Sequence, residues 1–509
     1  MIQNNAALPS VSQRAAAGAG WIIAWRLATR NIGLLSTLIL VRLLQPGDFG
    51  LVALATGFIS SVDALSAIGV QDALVRAPVL DRDMYDTGFS LSILRGVLTA
   101  LLIAMIAWPI ANFFGDVRLA IVMLALSGGS LISAFENIGI IDFRRDLTFR
   151  MEFNMQLWSR IISTAATIMV ALVWHSYWAL VAGILAYRAV RLLLSYLMSP
   201  YRPHLTMRAW RRIIGFSFWT WAQTMLYQAR ERSDSIVIGR LLGTGQVGVF
   251  SVGVELGLLP TTELVEPLGR ALFSGFASLH NASEGLGGMF LSAVGLGFLL
   301  ILPAGVGISM VADPMVRLSL GEHWLSAVPV VQIVAISGTV AIFTQSCANL
   351  LNAVGRPRIT AYIGLASTLV KLVALGLLVP YCGLPGAAMA LLLSSVIDLV
   401  LLLRVTLPRI GVSAGRLAAC VVRPAAATAA MVAVLWQLGL AWTPSSGADV
   451  MAISGDAGTR SAIGAASYGL ALTGMWFAAG WPDGAERSAV AIADRTWRRV
   501  FQRAGLGQP

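Results

Sequence analysis

The stretch "RLLQPGDFG", residues 42–50, recurs as "RLLGTGQVG", residues 240–248. Each copy closes one apolar stretch and opens the next through a glycine-containing turn. A constant offset of 198 residues relates the matching letters, and self-similarity at a fixed offset indicates an internal structural repeat. The identical pairs are Arg42 and Arg240, Leu43 and Leu241, Leu44 and Leu242, Gly47 and Gly245, and Gly50 and Gly248. The repeat therefore predicts a chain built from two related halves.

The composition around this repeat is that of a membrane protein. Of 509 residues, 57% are hydrophobic and only 12% are charged, and the mean hydropathy is +0.77. Apolar stretches of about 20 residues, long enough to cross about 30 Å of hydrocarbon as helices, recur from end to end. The net charge of +11 is scattered between and within them, unlike the basic face of a nucleic-acid-binding protein. We therefore expect an all-α polytopic membrane protein that has no nucleic-acid partner.

The apolar stretches predict about fourteen transmembrane helices, in two six-helix lobes and an appended pair. Six spans separate the two motif copies, which keeps both copies in the same orientation and predicts a parallel repeat. The predicted spans begin near Ala17, Phe49, Tyr85, Arg118, Arg150, Ser176, Ile213, Val247, Gly285, Ser326, Ile359, Leu384, Leu417 and Ser461. The predicted parts are an N-terminus (1–16), an N-lobe (17–198), a linker (199–212), a C-lobe (213–406), an appended pair (407–482) and a basic tail (483–509).

The distribution of arginine predicts the orientation. One set of alternate loops and tails carries 21 arginines and the opposite set carries three. Cytoplasmic loops of membrane proteins collect Lys and Arg. Both termini are therefore expected in the cytoplasm, and the two repeated turns on the outer side. The last outer loop is expected to be the polar stretch "TPSSGADVMAISGDAGTR", residues 443–460.

Cationic side chains inside the apolar spans are candidates for substrate binding. An ionisable group in a span is costly unless it faces protein or water, so each marks a candidate functional position. Guanidinium groups match phosphate oxygens, so a cavity that they line would suit an anionic cargo such as a lipid phosphate. A structural role is the alternative for other charged groups: Arg95, Arg191, Arg240 and Arg270 lie close enough to span ends to snorkel, and Asp63, Glu136 and Asp398 would pair with a neighbouring helix. The candidate residues are Arg26, Arg30, Arg160, Arg230 and Lys371.

Other polar residues in the spans are candidates for the lumen or for ion coupling. Spacings of four, three and four place Gln223, Tyr227, Arg230 and Asp234 on one stripe of a helix. Carboxylates in the spans can screen the cations or bind a driving proton or Na⁺, and the sequence leaves these roles open. The candidate lumen and coupling residues are Asp63, Glu136, Gln223, Tyr227, Asp234, Glu255, Glu263 and Asp398.

Patterns typical of catalysis are missing from the sequence. The four histidines lie in separate loops without partners at metal-ligand spacing, and the three cysteines show no paired spacing. A Walker loop for ATP is also missing. We therefore expect a transporter rather than an enzyme, with no catalytic residue, no metal and no cofactor beyond a coupling H⁺ or Na⁺.

Several motifs resemble those of the polysaccharide transporters, the Wzx-type oligosaccharide-lipid flippases of the multidrug/oligosaccharidyl-lipid/polysaccharide (MOP) exporter superfamily. The resemblance covers roughly residues 15 to 405, and the motifs identify the family as a set rather than singly. They are "LVRLLQPGDFGLVALA" (40–55), "IGVQDALVRAP" (68–78), "IDFRRDLTFR" (141–150), "RSDSIVIGRLLGTGQVGVFSVG" (232–253), "LGEHWLSAVPVVQIV" (320–334) and "NAVGRPR" (352–358).

The resemblance implies alternating access between two lobes. The implied cargo is a polyprenyl-pyrophosphate-linked oligosaccharide, moved across the bacterial inner membrane for exopolysaccharide, capsule or O-antigen (lipopolysaccharide) biosynthesis. Membrane lipids, a polysaccharide polymerase and a chain-length regulator are the implied partners. The alternatives are a drug or metabolite antiporter of the MATE type and, less favoured, a membrane polymerase or ligase. The repeated turns would be matched outer hinges, formed by Arg42, Gly47, Gly50, Arg240, Gly245 and Gly248.

Overall fold

The regular secondary structure of the described residues is entirely helical. The computed structural model describes residues 29, 31–33, 35–66, 70, 73, 74, 77, 80–146, 148–213, 218–262, 285–445, 449–481, 486 and 487. Within these residues, eight helices are long and apolar enough to cross a bilayer, and a bent pair, Glu322–Thr339 with Ala341–Ala353, adds a ninth. The prediction of an all-α polytopic membrane protein is confirmed.

The described helices are numbered here in chain order. The long helices up to the second motif copy are α1 (Asn31–Leu43), α2 (Pro46–Leu65), α3 (Arg82–Phe114), α4 (Val117–Ala134), α5 (Phe149–Trp174), α6 (Trp178–Met198) and α7 (Phe218–Leu242). Those after it are α8 (Thr244–Gly257), α9 (Leu286–Met310), α10 (Ala312–Ser319), α11 (Val328–Thr339), α12 (Ala341–Ala353), α13 (Pro357–Thr406), α14 (Ala414–Gln437) and α15 (Val450–Ala478). Short helical turns lie at Ile138–Ile141, Asp142–Arg145, Trp210–Ile213, Glu322–Ala327 and Leu407–Ile410.

Local sequence fixes the start of α2 in the first motif copy. Pro46 occupies the first turn, where a missing backbone N–H costs nothing. The backbone N–H of Gln45 donates to the Asp48 carboxylate over 3.0 Å, which closes a capping box. The acidic side chain also suits the positive end of the helix dipole. The turn is therefore specified by the residues that the repeat contains.

Helix α13 contains two membrane-crossing arms. Its 50 residues would extend about 75 Å as one straight helix, far beyond the roughly 30 Å of a hydrocarbon core. Gly383 interrupts it with φ 61° and ψ −137°, a conformation that glycine adopts without a Cβ clash, and Pro380 and Pro385 flank the break. The break lies beside Leu384, where the sequence predicts a new span.

The chain divides into two compact units between Gly248 and Val249. Helix α7 therefore groups with the helices that precede it. The sequence predicts instead that α7 belongs to the second lobe, residues 213–406. The reason is close packing of α7 against α2 and α3. Gly239 of α7 faces Leu54 and Phe114, and a Cβ at Gly239 would lie 3.2 and 2.8 Å from those side chains.

The second unit contains an apolar core and the C-terminal helix pair. Phe298 and Phe343 meet edge to face at 5.0 Å, within a buried cluster that joins α9, α12, α13 and α14. Tyr468 of α15 donates its hydroxyl to the carbonyl oxygen of Leu299 over 2.7 Å. Trp442, between α14 and α15, donates its indole N–H to Ser309 over 3.0 Å. The appended pair therefore packs on α9.

Helix α15 begins at Val450, so part of the stretch expected to be a polar outer loop is helical. Arg460 is only 3% exposed, yet its guanidinium is paired with Asp456 one turn earlier at 2.8 Å. It also donates to the carbonyl oxygen of Thr443 over 2.8 Å. The membrane span predicted from near Ser461 therefore lies inside a helix that starts earlier, because this i, i+4 pair neutralises two charges that the sequence pattern assigns to water.

Candidate functional site

Two arginines and one aspartate form a polar cluster inside the first unit. Arg95 of α3 donates to the backbone carbonyl of Asp63 over 3.1 Å and to the Ser66 hydroxyl over 3.3 Å. Arg188 of α6 donates to the Ser130 hydroxyl of α4 over 3.1 Å. The half-buried carboxylate of Asp63 lies within electrostatic reach of both guanidinium groups. With two cations and one anion, the cluster keeps one excess positive charge.

A second pair lies further along α6. The Arg191 Nε is 2.5 Å from the Glu136 carboxylate, and the two side chains are 24% and 15% exposed. Tyr187, one turn earlier on the same helix, donates its hydroxyl to Gln156 of α5 over 2.7 Å. Because the Glu136 and Arg191 charges balance, this pair links helices without adding to the excess charge. The ion pair with Arg191 is compatible with two roles for Glu136: holding the helices together, and the predicted ion coupling.

Arg160 extends the polar interior towards α1. It stands one turn after Gln156 on α5, and its Nη2 would be 2.8 Å from a Cβ placed on Gly33. Its Nε is buried and makes no hydrogen bond within the part of the chain that the structure describes. The guanidinium therefore lies directly against the backbone of α1 and retains a donor for a further acceptor. Arg26 and Arg30, predicted to share this surface, lie outside the described residues.

The predicted stripe on α7 has members in different environments. Tyr227 is 61% exposed, Arg230 is half-buried and Asp234 is 7% exposed. The side chain of Gln223 lies outside the described residues. Sequence reasoning missed Arg232, whose Nη2 donates to Ser60 of α2 over 3.0 Å. Arg232 lies two positions after Arg230, so it faces the opposite side of α7, outside the stripe that spacings of three and four define.

The remaining candidates lie in the second unit. Lys371 and Asp398 are buried, at 4% and 8% exposure, on the arms of α13 before and after Gly383. Ser337 of α11 donates to Ser395 on the second arm over 3.1 Å, so this arm carries further polar groups. Glu255 of α8 is exposed, and Glu263 lies outside the described residues. The structure therefore brings Asp63 together with Arg95 and Arg188 in the first unit. Lys371 and Asp398 belong to the second unit.

The described residues contain no group of three or more His, Cys, Asp or Glu side chains that could hold a metal ion. The three cysteines are free thiols, with Cys347 buried and Cys382 exposed.

Residues 39–329, more than half of the chain, match the family described as "Polysaccharide biosynthesis protein". The chain belongs to this family. The lipopolysaccharide biosynthesis protein WzxC of Escherichia coli (strain K12) is 22% identical over 400 residues, which are 77% of this chain and 80% of WzxC. The succinoglycan biosynthesis transport protein ExoT of Rhizobium meliloti (strain 1021) is 22% identical over 320 residues, 62% of this chain and 65% of ExoT.

Solved structures share the fold of this polysaccharide biosynthesis protein. The lipid II flippase MurJ, in an inward closed conformation, superposes with a TM-score of 0.72 at 13% identity, covering 89% of this chain and 99% of MurJ. An inward-facing MATE-family multidrug resistance transporter of the MOP superfamily gives a TM-score of 0.58 at 16% identity, covering 75% and 94%. These two likenesses show the fold, and membership of the MOP superfamily stays a prediction from the motifs.

This family member holds the segment at residues 199–209, part of the predicted linker 199–212, through side chains that the sequence patterns do not single out. Asp86 is 5% exposed and accepts from the Tyr201 hydroxyl over 2.5 Å and from the backbone N–H of His204 over 2.7 Å. Burial of the Tyr201 hydroxyl and its hydrogen bond to Asp86 raise the pKa of Tyr201. Ser90 accepts from the backbone N–H of Thr206 over 2.8 Å. One face of α3 thus anchors the segment that joins α6 to α7.

Proposed function

We propose that this polysaccharide biosynthesis protein is a flippase that moves a polyprenyl-pyrophosphate-linked oligosaccharide across the bacterial inner membrane. The names of WzxC and ExoT place these relatives in polysaccharide biosynthesis, and MurJ is named for moving lipid II. The excess of arginine in one set of loops supports cytoplasmic termini and delivery of the glycan to the outer side. A polymerase and a chain-length regulator would receive it there. A division into two lobes, 17–198 and 213–406, belongs to the same proposal.

The observation that carries the proposal is the excess positive charge inside the first unit. Asp63 offsets one of the charges of Arg95 and Arg188, and Arg160 keeps a buried donor with no partner in the described residues. A pyrophosphate offers several acceptor oxygens and negative charge, which guanidinium groups bind in a planar, bidentate manner. A cationic drug would be repelled by the same groups. The charge therefore favours an anionic lipid over the cargo of a drug antiporter.

Asp63 has a second role in the proposal. Because it faces both cations, its carboxylate competes with a bound pyrophosphate for them. Arrival of the cargo would release the carboxylate, which could then take up a proton or Na⁺ from the aqueous side. Glu136 and Asp398 are further coupling candidates, and Arg26, Arg30, Arg230 and Lys371 remain candidates for contact with the cargo.

The test is a flipping assay in proteoliposomes that contain a polyprenyl-pyrophosphate oligosaccharide. Protein-dependent protection of the glycan from an external glycan-modifying enzyme measures its movement. We expect Arg188→Gln and Arg160→Gln to lower the rate, because each removes a charge from the polar interior. Arg416→Gln changes an exposed arginine and is the matched control. Failure of the parent protein to move the lipid refutes the proposal, and full activity of both interior variants refutes the assignment of the site.

A further inference from the structure

The segment that joins α6 to α7 exposes arginine together with apolar side chains. Residues 199–213 contain four arginines and one histidine, and they contain no acidic residue. Leu205 is 73% exposed, and Met207 and Trp210 are exposed in the same segment. Apolar side chains gathered on a surface mark contact with a partner or a membrane. We call the exposed set the interfacial patch, formed by Arg202, Leu205, Met207, Arg208, Trp210 and Arg211.

Helix α3 holds the backbone beneath the interfacial patch. Its residues Asp86, Ser90 and Thr87 accept from the backbone N–H groups of His204, Thr206 and Ala209 over 2.7, 2.8 and 3.1 Å. Ala209 is 5% exposed, so the segment is buried on the side that faces α3. The backbone donors are thus engaged by α3, whereas the side chains of the patch are left exposed.

The interfacial patch keeps a positive charge. Within the part of the chain that the structure describes, none of Arg202, Arg208 and Arg211 forms an ion pair with a carboxylate. Asp86, which holds the segment, is buried, and it lies 3.8 Å from the Nε of Arg82. Its charge is therefore offset by an arginine outside the patch. The patch presents three guanidinium groups to a ligand.

The interfacial patch begins at the end of a membrane span. Helix α6 is long and apolar enough to cross a bilayer, and it ends four positions before Arg202. Leu197, on its last turn, is exposed and suits contact with acyl chains. The Arg202 guanidinium lies 5.9 Å from the ring centre of Tyr196, and the Arg211 guanidinium lies 5.4 Å from that of Trp210. Tyr and Trp rings concentrate at the headgroup layer, so the patch continues the apolar surface of α6 at headgroup depth.

We propose that the interfacial patch is a binding site for the headgroups of anionic phospholipids in the surrounding bilayer. A guanidinium fork matches the oxygens of a phosphodiester, and each arginine near an anionic membrane surface adds to the attraction. Leu205, Met207 and Trp210 supply apolar contact with the acyl chains below the headgroups, which an acidic protein surface would not require. The bound lipid holds the segment between α6 and α7 at the membrane surface. The patch shares no residue with the polar interior, so its occupancy does not depend on the proposed flippase function.

Quenching by labelled lipids tests the proposal. Leu205→Cys carries a bimane label in a background in which Cys382 and Cys420 are replaced by Ala, while Cys347 is buried and stays. The protein is reconstituted into phosphatidylcholine nanodiscs. These contain, at equal and low mole fraction, phosphatidylglycerol or phosphatidylcholine with the same nitroxide on the acyl chain near the headgroup. The control label is at Met451→Cys, an 88% exposed position at the start of α15.

We expect phosphatidylglycerol to be enriched over phosphatidylcholine around residue 205 by at least about five-fold, the factor that one arginine contributes near an anionic surface. High salt should lower the enrichment because it screens exposed charges. At Met451→Cys the two lipids should quench equally. Equal quenching at residue 205 overturns the proposal. A label at residue 205 that neither lipid quenches also overturns it, and leaves an acidic protein as the partner of the patch.

Charge variants test whether the arginines of the patch cause the enrichment. Arg208→Gln/Arg211→Gln should remove most of it, whereas Arg208→Lys/Arg211→Lys should keep it. Arg202 is left in place because it also donates to backbone carbonyl groups. Arg404→Gln/Arg416→Gln removes the same charge from exposed positions of the second unit and should leave the enrichment unchanged. Enrichment that survives in the first variant, or falls equally in the control, overturns the assignment to the patch. The measurement with unaltered arginines decides the proposal even if a double variant does not fold.

Discussion

Gly50→Ala tests whether two backbones must meet in the glycine seam, the contact between the repeated turns Pro46–Gly50 and Thr244–Gly248. The added Cβ would stand 2.7 Å from the Gly248 nitrogen and 2.9 Å from the Thr244 carbonyl carbon. Non-bonded heavy atoms prefer about 3.5–4.0 Å, so the two turns have to move apart by roughly 1 Å. Overpacking costs about 1–3 kcal/mol, and rigid backbone on both sides places the cost near 3 kcal/mol.

Part of this cost is offset because alanine stabilises a helix by about 1 kcal/mol relative to glycine. The net destabilisation of the closed seam is therefore about 2 kcal/mol. At about 1.4 kcal/mol for each factor of ten, the ratio of closed to parted seam falls about 30-fold. Gly248→Ala should produce the same change, because its overlaps mirror those of Gly50.

The assay is the initial rate of disulfide formation in the Gly47→Cys/Gly245→Cys pair, which follows the closed population. The control is Gly128→Ala in α4, where a Cβ would meet nothing within 4 Å, so it shares the gain in helix propensity without an overlap. The reasoning is refuted if Gly50→Ala and Gly128→Ala leave the same cross-linking rate. It is also refuted if Gly50→Ala and Gly248→Ala differ widely in effect.

Gly47→Ala should leave flipping near the parental rate, since a Cβ there meets nothing within 4 Å, and a large loss would restore the hinge interpretation. Asp86→Ala should lower the stability measured by thermal unfolding in detergent by about 1–3 kcal/mol, because the Tyr201 hydroxyl and the His204 N–H lose their acceptor. An unchanged melting temperature would contradict the anchoring role of α3. Arg191→Ala should destabilise the protein by about 2–3 kcal/mol, since it leaves Glu136 largely buried without its cation. Adding Glu136→Gln should restore much of that loss, and no restoration would show that the two residues act independently.

Features with local signals could be predicted from the sequence. Stretches of apolar residues of bilayer length predict the spans because each helix satisfies its own backbone inside the membrane. The start of α2 follows from Pro46 and Asp48, and the break of α13 follows from the glycine and prolines around residue 383. Local sequence does not predict the start of α15 at Val450 in the same way. There, a charge pair and a contact with the preceding turn change the cost of burying Arg460.

The sequence predicts which charged residues of the candidate site lie inside apolar helices, but it does not predict which of them contact one another. Asp63 and Arg160 stand out because ionisable groups in apolar helices are rare. Their neighbours are set by tertiary packing that a single helix does not encode. Arg95 reaches Asp63 from another helix, and Arg232 reaches Ser60 across 172 positions of sequence. Hydrogen-bonding partners this far apart leave no periodic pattern.

The repeat is kept where its two copies touch and is lost away from that contact. In the glycine seam each copy contacts its own image, so both positions must satisfy the same steric requirement, and Gly50 and Gly248 both do. About two to four turns further along α2, Gly57 and Asp63 stand where the same offset gives Glu255 and Thr261. Those positions contact different neighbours, so no symmetry constrains them. The two repeated turns can therefore keep their symmetric contact while the side chains further along the two helices diverge.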